Sequence, residues 1–215
     1  MITRLFLPVL VSLAAMPIAA ADSEGRLRPL FAFDAPEAAA KWQAVNDGVM
    51  GGRSDGRLRI TPDATLEFFG TLSLENNGGF ASVRSTPTPL ALRAGDELVL
   101  RVRGDGREYS LNLYVPRRQM AFSYRVTFKT VPGEWIEVPF PLDRFEATSF
   151  GQVVRNQPLV PAEINGVGLL LGDKKPGPFR LEVAMIGVRP ASKAQPSSQG
   201  RGDNPIPADA TRRAE

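Results

Sequence analysis

The chain contains no cysteine and no histidine. Those two absences exclude a disulfide, a thiol nucleophile, a Cys/His zinc site and a Ser-His-Asp triad. Any catalysis would fall to carboxylates, tyrosine, lysine or a hard metal held by oxygen. Charge of one sign is also lacking: 26 basic residues stand against 23 acidic ones, for a net +3. Arg and Lys are interleaved with acids or sit singly, so there is no basic stripe of the kind nucleic acid requires. No apolar run is long enough for a comfortable membrane span. The longest, Leu5 to Ala15, contains Pro8 and is followed by Pro17. A sustained helical period is missing beyond residue 42.

What is present divides the 215 residues into three parts. Residues 1–21 read as a secretory signal peptide. Arg4 supplies the positive start, Leu5 to Ala15 the apolar stretch, and Ala19-Ala20-Ala21 the small-residue cleavage pattern. This predicts a periplasmic or secreted protein. The alternative, a mitochondrial one, would call for a leader richer in Arg and Ser. Residues 190–215 are rich in Pro, Ser, Gln and Gly, with no large apolar residue until Ile206. Such a segment buries too little surface to offset its ordering entropy, and reads as a disordered tail. Residues 22–189 show neither a repeat nor a composition break and read as one domain.

Within that domain the patterns are those of strands. Leu98, Leu100 and Val102 alternate with Arg101 and Arg103, and Tyr124, Val126 and Phe128 alternate with Arg125 and Thr127. Alternation with period two gives one buried and one wet face. Turn dipeptides punctuate the strands: Asp55-Gly56, Asn77-Gly78, Asp105-Gly106 and Pro132-Gly133. The Asn77-Gly78 step and the stretch Arg103 to Arg107 are expected to close hairpins. One brief helix is expected from Ala35 to Lys41, capped by Asp34 with Pro36 in its first turn. Trp42 and Trp135 read as core anchors. The fold class is therefore all-β, an antiparallel sandwich or barrel with one short N-terminal helix.

Two polar loops stand out between apolar anchors: Asn46-Asp47-Gly48 leading to Gly51-Gly52, and Glu75-Asn76-Asn77-Gly78-Gly79. Both are turns by their chemistry. Asn46, Asp47, Asn76 and Asn77 also offer amide and carboxylate groups to ligand hydroxyls. On the strand from Phe80 to Ser85, Phe80, Ser82 and Arg84 share one face. Arg84 there could hold a carboxylate or a sugar hydroxyl through its planar fork, or form a cross-strand ion pair. Tyr114 and Tyr124 are candidate stacking platforms. Asp173 and Lys174 lie in a Gly/Pro-rich loop that could join the same site. A two-carboxylate enzyme would draw on Asp47, Glu75 and Asp173, but no spacing brings them together. The chain reads as non-catalytic, with no cofactor and no metal site of regular ligand spacing.

The segments Trp42 to Ser54 and Leu74 to Arg84 together resemble the signature of the complex I intermediate-associated protein 30 (CIA30) family. The resemblance continues through Tyr109 to Tyr114, Ser123 to Val126, Gly133-Glu-Trp135, Gly166 to Leu170 and Gly172 to Glu182, so it covers roughly residues 30 to 188. It implies a jelly-roll sandwich similar to galactose-binding domains and carbohydrate-binding modules. Two functions follow as expectations. One is an exported binding module holding a carbohydrate or protein partner. The alternative is an assembly or chaperone factor for a membrane respiratory complex, as in the family's mitochondrial members. Nucleic acid is not expected as a partner, and membrane association is at most indirect.

Overall fold

The computed structural model describes residues 26–116 and 121–191. The expected signal peptide and all but the first two residues of the expected tail lie outside the described residues. Among those residues the chain forms thirteen strands. They are β1 (Arg28–Phe31), β2 (Trp42–Ala44), β3 (Asp55–Ile60), β4 (Leu66–Leu72), β5 (Ala81–Ser85), β6 (Glu97–Arg103) and β7 (Glu108–Tyr114). There follow β8 (Phe122–Lys129), β9 (Trp135–Pro141), β10 (Glu146–Ser149), β11 (Gln152–Val153), β12 (Gly166–Leu171) and β13 (Gly177–Arg189). One sheet has the order β3-β4-β13-β6-β9, with β1 also paired to β13. The other runs β11-β10-β8-β7-β12-β5-β2. The pairings within both sheets are antiparallel. The architecture is the expected two-layer sandwich of jelly-roll type.

Alternation decides which side chains meet between the layers. Leu98, Leu100 and Val102 of β6 are buried in the core, as are Tyr109, Leu111 and Leu113 of β7 and Tyr124 and Phe128 of β8. Aromatic rings stitch the two layers together. Phe68 of β4 lies 4.8 Å from Phe179 and 6.5 Å from Tyr109; Tyr109 stacks on Phe128, which meets Phe140 edge-on at 5.6 Å. Each such ring, fully buried, contributes about 1.5–3 kcal/mol of transfer free energy. With no cysteine in the chain, this core carries the stability that disulfides supply elsewhere.

Three local expectations are corrected. The helix is a 3-10 turn from Pro36 to Lys41, and its N-cap is Ala35, with no side-chain cap bond, rather than Asp34. Burial of Trp42 against Phe31 and Phe33 pulls the chain straight into extended β2 and leaves no room for a longer helix. The loops at Asn77-Gly78 and Arg103–Arg107 are not hairpins. Each carries the chain from one sheet to the other, from β4 to β5 and from β6 to β7. Turn residues allow a sharp reversal, but the pairing partner is chosen by where the strand's apolar face is buried. The hairpins that do form among the described residues join β3 to β4, β7 to β8 and β10 to β11. Asp55-Gly56, read as a turn, opens β3.

Candidate functional site

The face of the seven-stranded sheet that points away from the core carries an ordered row of side chains. Register places Gln43, Arg84, Gly168, Asn112, Arg125 and Glu146 side by side across six strands. Gly168 has no side chain, so the Tyr114 ring lies over it. A Cβ at that position would stand 2.8 Å from the ring and its hydroxyl. The Arg84 guanidinium sits over that ring, 5.0 Å from the Tyr114 ring centroid, where the ring's negative face attracts it. Asn112 donates from Nδ2 to the Tyr114 hydroxyl at 3.4 Å, and its Oδ1 accepts from Arg125 Nε at 3.1 Å. Arg84, Tyr114, Asn112 and Arg125 thus form one connected row.

Burial pushes the Tyr114 phenol up, and neighbouring Arg84 only partly offsets this, so the hydroxyl stays neutral at physiological pH. Burial also lowers Arg125, and the like charge of Arg84 lowers it further. Among the described residues Arg125 makes no ion pair; its adjacent acid in the row, Glu146, is exposed.

Above this row rise a side wall and an end wall. The first is built on Asp47, which is fully buried. Its carboxylate accepts from the Ser54 amide (2.9 Å) and hydroxyl (2.6 Å), and from the amides of Gly79 (2.6 Å) and Phe80 (3.2 Å). Gly52 and Gly78 are needed beside it, because a Cβ on either would run into the carboxylate. Burial alone would raise the Asp47 carboxyl, but these donors outweigh it and hold it below its ordinary value. Asn46 is used similarly: Nδ2 donates to the Gly56 carbonyl at 2.9 Å and Oδ1 accepts from the Ser82 amide. The two polar loops are therefore clamped to each other.

The second anchor is Arg107. It grips Asp173 with two bonds, Nε to Oδ2 at 3.0 Å and Nη2 to Oδ1 at 2.6 Å, and also donates to the carbonyls of Lys175, Gly177 and Pro178. Burial works against ionisation of both partners, yet their bonding leaves Asp173 lowered and Arg107 raised. This fixes the loop from Gly172 to Lys174.

These walls bound a cleft of about 940 Å³. Arg84, Ser110, Arg125, Thr127 and Leu170 form its floor; Val49, Met50 and Asn77–Phe80 line one side, Ser149–Gln152 the other, and Glu108, Asp173 and Lys174 one end. Val49, Met50 and Phe150 on the rim are well exposed, Phe150 at 77%.

The sequence-derived candidates separate accordingly. Arg84, Asn77, Asp173 and Lys174 border the cleft. Asn46 and Asp47 lie within its wall with their polar atoms already engaged. Asn76 is exposed on the loop between β4 and β5 and does not line the cleft. Tyr114 lies beneath Arg84 and is half-buried. Tyr124 is a correction: it is a core residue, packed 5.3 Å from Phe122 with its hydroxyl donating to the Pro158 carbonyl, and offers no stacking surface. Its parity on β8 points it inward, whereas Arg125 points out. Trp135 is a second correction, since it is half-exposed on the opposite sheet between Arg101 and Arg103 rather than in the core. Sequence reasoning missed Arg125, Arg107 and the apolar rim. The period-two pattern of β8 already put Arg125 on the wet face; nothing local marked Arg107, whose partner is 66 residues away.

Comparison with known proteins fits this architecture. The family described as Complex I intermediate-associated protein 30 (CIA30) matches residues 31–183. The chain is 32% identical to the mouse (Mus musculus) mitochondrial complex I intermediate-associated protein 30, covering 75% of this chain and 56% of that one. It is 25% identical to the Drosophila melanogaster protein of that name, covering 76% and 63%. The chain thus spans little more than half the length of these relatives. Among solved structures, a family 11 carbohydrate-binding module of Clostridium thermocellum shares the fold with a TM-score of 0.59 at 11% identity, over 81% of this chain and all of that one. A second family 11 module, solved with a β-1,3-1,4-mixed-linked tetrasaccharide, matches at 0.54 and 12% identity, over 70% and 89%. At such identity the likeness is one of fold alone. With the family match spanning β1 to β13, the chain belongs to the complex I intermediate-associated protein 30 family.

Proposed function

We propose that this chain is a non-catalytic assembly factor for a membrane-bound respiratory complex, complex I, and that the cleft on the seven-stranded sheet holds a polypeptide of that complex. The observation that carries this is the exposed apolar rim of Val49, Met50 and Phe150 around a polar floor, on a chain whose relatives are named complex I intermediate-associated protein 30. Clustered exposed apolar side chains are a mark of protein contact. The carboxylates that an enzyme would need are otherwise engaged. Asp47 is bonded within the wall, Asp173 is held by Arg107, and Glu75 pairs with Arg53 on the surface. Export through residues 1–21 belongs to the same proposal, and would direct the factor to parts of the complex outside the cytoplasm. Among the described residues no helix is long and apolar enough to cross a membrane.

A carbohydrate ligand is the second reading. It is supported by the hydroxyl- and guanidinium-lined floor and by the fold shared with carbohydrate-binding modules. Deleting the gene and measuring assembled complex I on native gels separates the two. A marked drop supports the assembly role. Unchanged complex I, together with a reproducible glycan-array signal, would replace it with the carbohydrate reading.

A further inference from the structure

The floor of the cleft has a chemistry of its own. Arg84 and Arg125 stand three strand spacings apart in one row, about 14 Å at Cα, and both guanidiniums turn toward the Asn112–Tyr114 pair between them. Two like charges are thereby directed at one another across a partly buried surface. The bond that fixes Arg125 comes from an amide, Asn112 Oδ1, which offers a neutral acceptor and no countercharge. A partly buried cation without an acid partner, as Arg125 is, gains when an anion arrives. Lys174 at the end of the cleft adds a third cation. Of the acids on the cleft lining, Asp173 is already taken by Arg107 and Glu108 sits at the exposed end.

We infer that Arg84 and Arg125 form a carboxylate-binding site, and that the segment it takes is an acidic stretch of the partner polypeptide with an apolar residue beside the acid. This rests on the reading of the cleft as a protein-binding surface. A carboxylate between the two guanidiniums receives charge-assisted, fork-shaped hydrogen bonds, which a sugar hydroxyl would receive only singly. The adjoining apolar residue then meets Met50, Phe150 and Leu170. The partner's charge supplies the acid partner that Arg125 lacks among the described residues.

The test is calorimetric titration of the full chain with end-blocked peptides identical except for a central Glu, Gln or Lys between leucines. The Glu peptide should bind more tightly than the Gln peptide by roughly tenfold or more, and the advantage should shrink with added salt. Arg125→Gln and Arg84→Gln should each remove that advantage, and Arg125→Lys should restore only part of it. Thermal midpoints of the variants guard against misfolding, and Arg125→Gln should melt no lower than the parent. Equal binding of Glu and Gln peptides, no binding of any, or a Glu preference that survives both substitutions overturns the inference. Failure here with complex I still lost on gene deletion leaves the assembly role standing. A Glu preference with complex I unaffected by deletion keeps the anion site and removes that role.

Discussion

The two outer faces of the sandwich use the same residue types to opposite ends. On the six-stranded sheet, arginines meet acids. Arg59 and Arg180 both pair with Glu67, Arg180 and Arg103 with Glu182, and Arg189 with Glu97 and Glu137. Its aromatics are covered too: Phe69 lies beneath Arg57 and Arg59, and Trp135 beneath Arg101 and Arg103. On the seven-stranded sheet an arginine again lies on an aromatic ring, Arg84 on Tyr114. There, however, Arg125 is bonded to an amide, and walls stand up on either side. One face is electrostatically closed and the other is open. On the proposed reading, a binding surface is marked by a cation such as Arg125 that no acid among the described residues matches, not by the number of its charges.

The largest expected effect is on the wall of the open face. Asp47→Ala leaves the buried amides of Gly79 and Ser54 without their acceptor and should cost about 3 kcal/mol. Urea unfolding should show a lower midpoint with an unchanged slope. The same residue sets a pH dependence. Its folded pKa lies below its ordinary value of 3.8, so its stabilisation is full above that value and is lost as pH falls through the folded value. Asp173 acts in the same direction. Acid titration of stability should be steep below about pH 4 in the parent and shallower in Asp47→Ala. An identical titration in both would show that the clamp is not ionic.

Next comes Gly168→Ala. The added methyl collides with the Tyr114 ring and should cost about 1–3 kcal/mol by displacing it. Tyrosine fluorescence or a thermal scan reports the change. The smallest effect sharpens the contrast between the faces. Glu182→Ala on the closed face removes a partner of Arg103 and Arg180 and should destabilise by about 1 kcal/mol. Arg125→Met on the open face should be neutral or slightly stabilising, because it removes a charge with no acid partner among the described residues. A large loss at Arg125 would mean that the open face is as structural as the closed one.

Much of the fold was legible because it depends on local alternation. Leu98, Leu100 and Val102 announced an inward face, and the paired polar loops announced tight turns. The sheet to which each turn led was not legible, since Asn77-Gly78 serves a crossover as well as it serves a hairpin. For the site, Arg84 could be placed from strand parity alone. Asp47 was ambiguous, because a carboxylate that ties two loops has the same spelling as one that binds a ligand. The four donors that decide its role come from residues 7 to 33 positions away. Trp135 shows a related ambiguity, since an aromatic on an alternating strand suits either face and neighbouring strands decide which one it takes. Tyr124 does not, because it shares the parity of Val126 and Phe128, and the alternation that puts Arg125 outside already puts Tyr124 inside.

The most direct measurement is complementation of a gene deletion by variants from each face, read as assembled complex I on native gels. Phe150→Glu, which puts a charge on the apolar rim of the cleft, should fail to restore assembly while the protein stays folded. Trp135→Ala, on the closed face, should restore it. Restoration by Phe150→Glu together with failure by Trp135→Ala would contradict the claim that the seven-stranded face is the one that binds.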